Sequence, residues 1–265
     1  MRHISINELL QEIFATPEGK RLRKTLFTAH KKVAAKDPDQ RQGYIKNNGA
    51  SKWTPLKNKL TLIVGNKCWY TEVELVGGPL AVDHYRPVCN YWWLAFDAVN
   101  FRVACPYANS PKHNPLYGCA GGKGDEFPLL GPAGRAGGRN KLKTERPSIL
   151  DPCNSRDCEM VAFQADGRPV IHPNYSSDRV ALERLEKSKI LLNLDHPDFN
   201  TKREQLYHDI SNDVKEYEEP ATSALSRARI FDRMERRLLS TASFSTAARF
   251  YLQFHREHVW VNWLL

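Results

Sequence analysis

Helical spacing of apolar residues governs both ends of this chain, and short strand-like pieces lie between them. Near the start, Ser5, Ile6, Asn7 and Glu8 have the order of a capping box, in which Ser5 caps backbone N–H groups and Glu8 reaches back. Thr16-Pro17-Glu18 is a second helix start: a cap residue, proline at the first helical position, an acid in the first turn. Leu22, Leu26, Phe27 and Val33 then form an apolar stripe beside Lys20, Arg21, Arg23, Lys24, Lys31 and Lys32. Residues 37–51 are polar and predict a loop, and residues 53–64 a short amphipathic piece. Further on, Ala162-Phe163 and Val170-Ile171 flank Ala165-Asp166-Gly167-Arg168, a hairpin signal. Helices are predicted over 177–194, 200–219, 221–240 and 245–260. The pattern describes an α+β, mostly helical chain without internal repeats. It divides into an N-terminal helical segment (1–58), a core rich in aromatics (59–131), a Gly-rich basic loop (132–147), and a hairpin with a C-terminal helical region (148–265).

Composition adds a direction to this picture. The 265 residues are 41% hydrophobic, enough for one large domain or two small ones. The net charge of +9 favours anionic partners, nucleic acid first, although a merely basic protein shows the same balance. No run approaches the roughly 20 apolar residues of a membrane helix, and the start lacks the apolar core of a secretory signal. Six cysteines are too sparse for a disulfide scaffold and read as cytosolic thiols or relics of a metal site. The expectation is a cytoplasmic protein without a membrane segment.

Candidate chemistry concentrates in residues 67–112. Val82-Asp83-His84-Tyr85-Arg86-Pro87 reads as a strand that breaks at the proline, with a carboxylate beside an imidazole at its end. Phosphodiester hydrolysis needs a base, a group that aims it, and oxygen ligands for a cation. His84 is the candidate base. Asn100 is the candidate group holding its ring. Asp83 and Asn109 would make a hard, oxygen-rich site suited to Mg²⁺ or Mn²⁺. Each residue alone has a duller reading as a turn or surface residue. Their combination within one short window carries the argument.

This window resembles the HNH endonucleases, whose ββα-metal fold clasps one metal between a strand pair and a helix. The resemblance implies His84 and Asn100 as catalytic residues, base and orienting residue, and Asp83 and Asn109 as metal ligands. Many members also bind a structural zinc through two Cys-x-x-Cys knuckles. Here Cys68 and Cys105 stand at the first positions, but Thr71 and Ala108 replace the second cysteines, so the structural zinc is expected to be lost. Farther segments, GGKGDEFPLL, ILDPCNSRDCEMVAF and RVALERLEKSKILLNL, resemble the HNH nuclease subunit of Septu-type and retron-associated antiphage systems. That likeness implies an ATPase subunit as partner and regulator, and an oligomeric complex. A catalytically inactive HNH-fold protein that only binds nucleic acid or serves as a scaffold is the competing expectation.

Arg86 and Lys112 flank the site as candidate phosphate contacts, followed by Arg135, Arg139, Lys141 and Lys143 in the basic loop. Tyr91, Trp92, Trp93, Phe96 and Phe101 are expected to pack the core rather than stack on bases. Arg227, Arg229, Arg233, Arg236 and Arg237 predict a basic face. The apolar tail HVWVNWLL is either a partner surface or a strand of chain folded back on the helices.

Overall fold

A computed structural model describes residues 1–74, 79–132 and 134–265. Four helices come first: α1 (Ile6–Ala15), α2 (Pro17–Ala34), α3 (Pro38–Asn48) and α4 (Ala50–Val64). The ribbon β1 (Ala81–His84) and β2 (Phe101–Ala104) follows, then the one-turn helix α5 (Pro106–Asn109) and the small pair β3 (Lys112–Asn114) and β4 (Cys119–Gly121). After α6 (Ser155–Glu159) comes the hairpin β5 (Val161–Phe163) and β6 (Pro169–Ile171). The chain ends in α7 (Arg179–Leu191), α8 (Pro197–Glu218), α9 (Ala224–Leu238), α10 (Ser245–Leu252) and α11 (Val259–Asn262). The protein is α+β and mostly helical, with three separate antiparallel strand pairs among the described residues.

The second helix start behaves as its chemistry dictates: Thr16 Oγ1 accepts from the Gly19 N–H at 3.0 Å, and Pro17 opens α2. The capping box does not form. Ser5 precedes α1 without a side-chain cap bond. Within the stripe of α2, Leu26 and Val33 are buried but Phe27 is 57% exposed. The loop expected over residues 37–51 is instead α3 and the start of α4. Asp37-Pro38-Asp39 supplies a start signal, and Ile45 alone among the α3 residues is fully buried. A helix with one buried residue leaves almost no apolar periodicity for a sequence reading to detect. Helix α4 runs past residue 58 to Val64 and buries Leu56 and Leu60 completely.

The hairpin forms where predicted, with Val161 opposite Ile171 and Gly167 at φ +78° in its turn. The predicted C-terminal helices form with shifted ends, except the last. It breaks into α10, a 3₁₀ turn at Gln253–His255, and α11. One apolar core joins α1, α2, α4, the β1–β2 ribbon and the C-terminal helices. A second, smaller cluster of Tyr85, Tyr91, Leu94, Phe127, Ile149 and Leu191 lies beside it.

The Gly-rich basic segment is fastened rather than free. The Glu145 carboxylate, buried, accepts from Arg86 Nε (2.6 Å), the Tyr91 hydroxyl (2.6 Å) and the Ala136 N–H (2.7 Å). Three charge-assisted bonds to one carboxylate outweigh the pull of a polar loop toward solvent. The basic face expected on α9 is largely neutralised: Arg233 and Arg237 pair with Asp213, and Arg236 pairs with Asp232. The tail folds back. Trp260 stacks on Tyr217 at 4.0 Å and donates its indole N–H to Glu218 at 2.7 Å, while Trp263 remains 73% exposed.

Candidate functional site

In the β1–β2 register Asp83 faces Arg102 and His84 faces Phe101. Neighbours on a strand point to opposite sides, and the structure uses both sides. The Asp83 carboxylate turns inward and is buried. Tyr70 donates its hydroxyl to Oδ2 at 2.6 Å, and Lys123 Nζ donates to Oδ1 at 2.8 Å. Burial, and Asp83 beside it, push the Tyr70 hydroxyl well above its ordinary range, so it stays protonated and donates.

His84 ends the strand half-buried. Its ring stands edge-on to Trp53 of α4 at 4.8 Å and to Phe101 of β2 at 5.1 Å between centroids. Nε2 lies 2.9 Å from the Ala95 carbonyl. A carbonyl only accepts, so this contact places the proton on Nε2 and leaves the Nδ1 lone pair free. Burial lowers the imidazole pKa below its ordinary 6.5, against opposing pulls from the Ala95 carbonyl and Asp83, and the ring is neutral at pH 7. The site therefore holds an oriented imidazole with one basic nitrogen.

Asn100 does not hold that ring, contrary to the expectation from the sequence. Its Oδ1 accepts from the Arg86 N–H at 2.9 Å and its Nδ2 donates to the Arg86 carbonyl at 2.9 Å. The amide thus clamps the backbone two residues beyond His84 and fixes the bend after β1, while the Ala95 carbonyl aims the imidazole. An amide offers one acceptor and a donor side by side, so it satisfies both the N–H and the C=O of Arg86 where the strand stops.

Asn109 is the last residue of α5, which begins immediately after β2. It lines a cleft of about 210 Å³ together with Asp83, His84, Pro87, Val88, Gly124 and Asp125. Three of the four central residues named from sequence therefore meet in one cleft, and Asn100 supports it from behind. A larger cavity, about 860 Å³, lies elsewhere, between α1, α2 and residues 96–99, and carries none of these groups.

The donor types suit a hard divalent ion, although no three His, Cys, Asp or Glu side chains among the described residues form a group that could hold one by themselves. The donors are two carboxylates, Asp83 and Asp125, and the Asn109 amide, with no thiol among them. Each Asp83 oxygen accepts one hydrogen bond and keeps a second lone pair. With roughly 30 Å³ per water, the cleft has room for a partly hydrated cation. Lys123 offsets part of the negative charge. Such a site would leave open positions for water and a phosphate oxygen, the usual arrangement for Mg²⁺.

Cys68 and Cys105 also meet, both fully buried. Thr71 Oγ1 lies 3.9 Å from Cys105 Sγ. The neighbouring Cys68, and then burial, raise the Cys105 thiol, whereas at Cys68 burial is outweighed by Cys105 and Thr71, which lower its pKa to about 6. Thr71 and Ala108 sit where two more ligands would be needed, so the residues present do not fit a tetrahedral zinc.

The cationic candidates are less free than their sequence context implies. Arg86 is bound to Glu145, Arg139 pairs with Asp97, and Arg135 donates to the Phe127 carbonyl at 3.4 Å. Lys112 lies over the Tyr107 ring at 4.9 Å, and Lys141 and Lys143 are exposed. Sequence reasoning missed Tyr70, Ala95, Lys123 and Asp125. The run Gly121-Gly122-Lys123-Gly124-Asp125 was the available signal, since glycines around two charges mark a backbone bent to present them. The ILDPCNSRDC segment also finds its use: Asp151 grips Arg102 of β2 through two 2.7 Å bonds, and Asp157 grips Arg184 of α7 through two of 2.6 Å.

Compared with known proteins, the chain matches no family model and no curated protein.

Proposed function

We propose that this protein is a metal-dependent endonuclease of HNH type, in which β1, β2 and α5 form a ββα-metal core. The observation that carries the reading is one cleft lined by Asp83, His84 and Asn109, with the His84 ring held through Nε2 on the Ala95 carbonyl. His84 Nδ1 takes a proton from a water as that water attacks phosphorus, and the ring keeps its place through Ala95, Trp53 and Phe101. Asn100 holds the bend that places the ring. Asp83 and Asn109 would hold a divalent ion, Mg²⁺ or Mn²⁺, which when bound would supply positive charge to offset that developing on the phosphate. The net charge of +9 supports a nucleic-acid substrate, with Lys112, Lys141 and Lys143 as the freest cations around the core.

The subfamily likeness extends this reading to an effector of antiphage defence, restrained by an ATPase partner in a cytoplasmic complex. One observation favours a second reading. The Lys123 ammonium already satisfies Asp83 Oδ1, as it would in an inactive HNH-fold protein that binds nucleic acid or acts as a scaffold.

Purified protein should nick or degrade plasmid DNA, single-stranded DNA or RNA with Mg²⁺ or Mn²⁺ and not with EDTA. His84→Ala should lower the rate by about 10²–10⁴-fold while leaving the melting curve in place. Cleavage that survives this substitution would exclude His84 as the base. Salt-sensitive binding to nucleic acid by both proteins, with cleavage by neither even alongside an ATPase partner, would favour the scaffold.

A further inference from the structure

We propose that Asp125 is a third oxygen donor of the divalent-ion site, presented by a loop built for that purpose. The inference rests on the metal-nuclease reading above and adds a residue that neither the motif nor the resemblance assigns. Asp125 lines the cleft with Asp83, His84 and Asn109. Its side chain is exposed, and its carboxylate accepts no hydrogen bond among the described residues.

The loop over residues 122–126 is tied to both expected ligands. Its Gly124 N–H donates to the carbonyl of Asn109 at 3.2 Å, and the Lys123 N–H donates to that of Ala108 at 2.8 Å. The Lys123 side chain, 1% exposed, runs back under the cleft. Its ammonium binds Asp83 Oδ1 (2.8 Å), the His84 carbonyl (2.8 Å) and the Gly124 carbonyl (3.3 Å). Gly122 has φ +100°, and a Cβ there would fall 1.8 Å from the Ser110 carbonyl oxygen. Only glycine passes that point, so the path of the loop is set by the end of α5. A buried cation and two backbone bonds thus fix Asp125 relative to Asp83 and Asn109.

The chemistry explains why a second carboxylate is wanted. Mg²⁺ and Mn²⁺ take hard oxygen ligands, and one carboxylate with one neutral amide is a sparse set. Lys123 weakens the attraction of Asp83 for a cation while holding its geometry. A carboxylate free of any partner restores that attraction at the mouth of the same cleft. Glu126, the next residue, is also exposed but does not line the cleft, which makes it the matched control.

The test is Mn²⁺ binding to the full chain without nucleic acid, read from the electron paramagnetic resonance signal of free Mn²⁺. The proteins are wild type, Asp125→Ala, Asp125→Asn and Glu126→Ala, with thermal melting to compare folds. Asp125→Ala should raise the Kd at least about tenfold, Asp125→Asn less, and Glu126→Ala should leave it unchanged. An Asp125→Ala Kd within about twofold of wild type, or an equal loss in Glu126→Ala, would overturn the assignment while leaving the metal site standing. Wild type that binds no Mn²⁺ would overturn both the assignment and the metal-nuclease reading beneath it.

Discussion

Glu145 shows what one residue does here. Its carboxylate is the meeting point of Arg86 from the bend after β1, Tyr91 from the aromatic segment and the Ala136 N–H of the basic segment. Burial pushes its pKa up, but the Tyr91, Ala136 and Arg86 donors outweigh that and hold it below the ordinary 4.5. A carboxyl held below its unfolded value stabilises the fold fully above pH 4.5, and the contribution is lost as pH falls through the lowered folded value. Glu145→Ala should therefore cost about 3 kcal/mol at pH 7, because it leaves a guanidinium, a buried hydroxyl and an amide without their acceptor. Urea unfolding measures the loss. The gap between variant and wild type should narrow below pH 4.5, and a gap independent of pH would mean that packing, not charge, holds the segment.

At the scale of elements, a tight turn at residues 67–74 meets the start of α5, with Thr71 Oγ1 3.9 Å from Cys105 Sγ. The turn is held by the Cys68 N–H on the Val73 carbonyl at 3.0 Å and joined to β2 through the Trp69 N–H and the Val103 carbonyl at 2.8 Å. Thr71 and Ala108 each follow a buried cysteine by three residues. If these are the remains of two zinc knuckles, the missing ligands are restorable. The double variant Thr71→Cys, Ala108→Cys should bind one zinc per chain, as metal analysis of the purified protein would show. A folded double variant without zinc would mean that the four positions do not converge on one point.

For the molecule as a whole, the helical layers at the two ends of the chain share one core, so the tail is part of the fold. Trp260 is 6% exposed against Tyr217 of α8, and Val261 is fully buried. Trp260→Ala should destabilise the protein by about 3–5 kcal/mol in urea unfolding, with a single transition. A loss under about 1 kcal/mol would return the tail to the role of a partner surface. Trp263 and Val259 stay exposed beside it, which leaves room for a partner even so. No described helix is long and apolar enough to cross a membrane.

The chain by itself determined what depends on near neighbours. The α+β, mostly helical class, the start of α2 at Thr16-Pro17, the hairpin around Gly167 and the strand ending at His84 rest on interactions within a few residues, and spacing reveals those. It also named Asp83, His84 and Asn109, because one short ribbon and one turn of helix suffice to gather them. The tertiary structure decided whatever needed a distant partner. Helix α3 buries Ile45 alone, and no periodicity marks it. The Ala95 carbonyl rather than Asn100 aims the imidazole, because a main-chain oxygen has no signature in a sequence. Lys123 reaches Asp83 across 40 positions, and Glu145 neutralises Arg86 across 59. Which acid a cation meets, and which carboxylate remains free at a cleft, follows from how the layers pack, since burial makes every charge seek the partner that folding brings within reach.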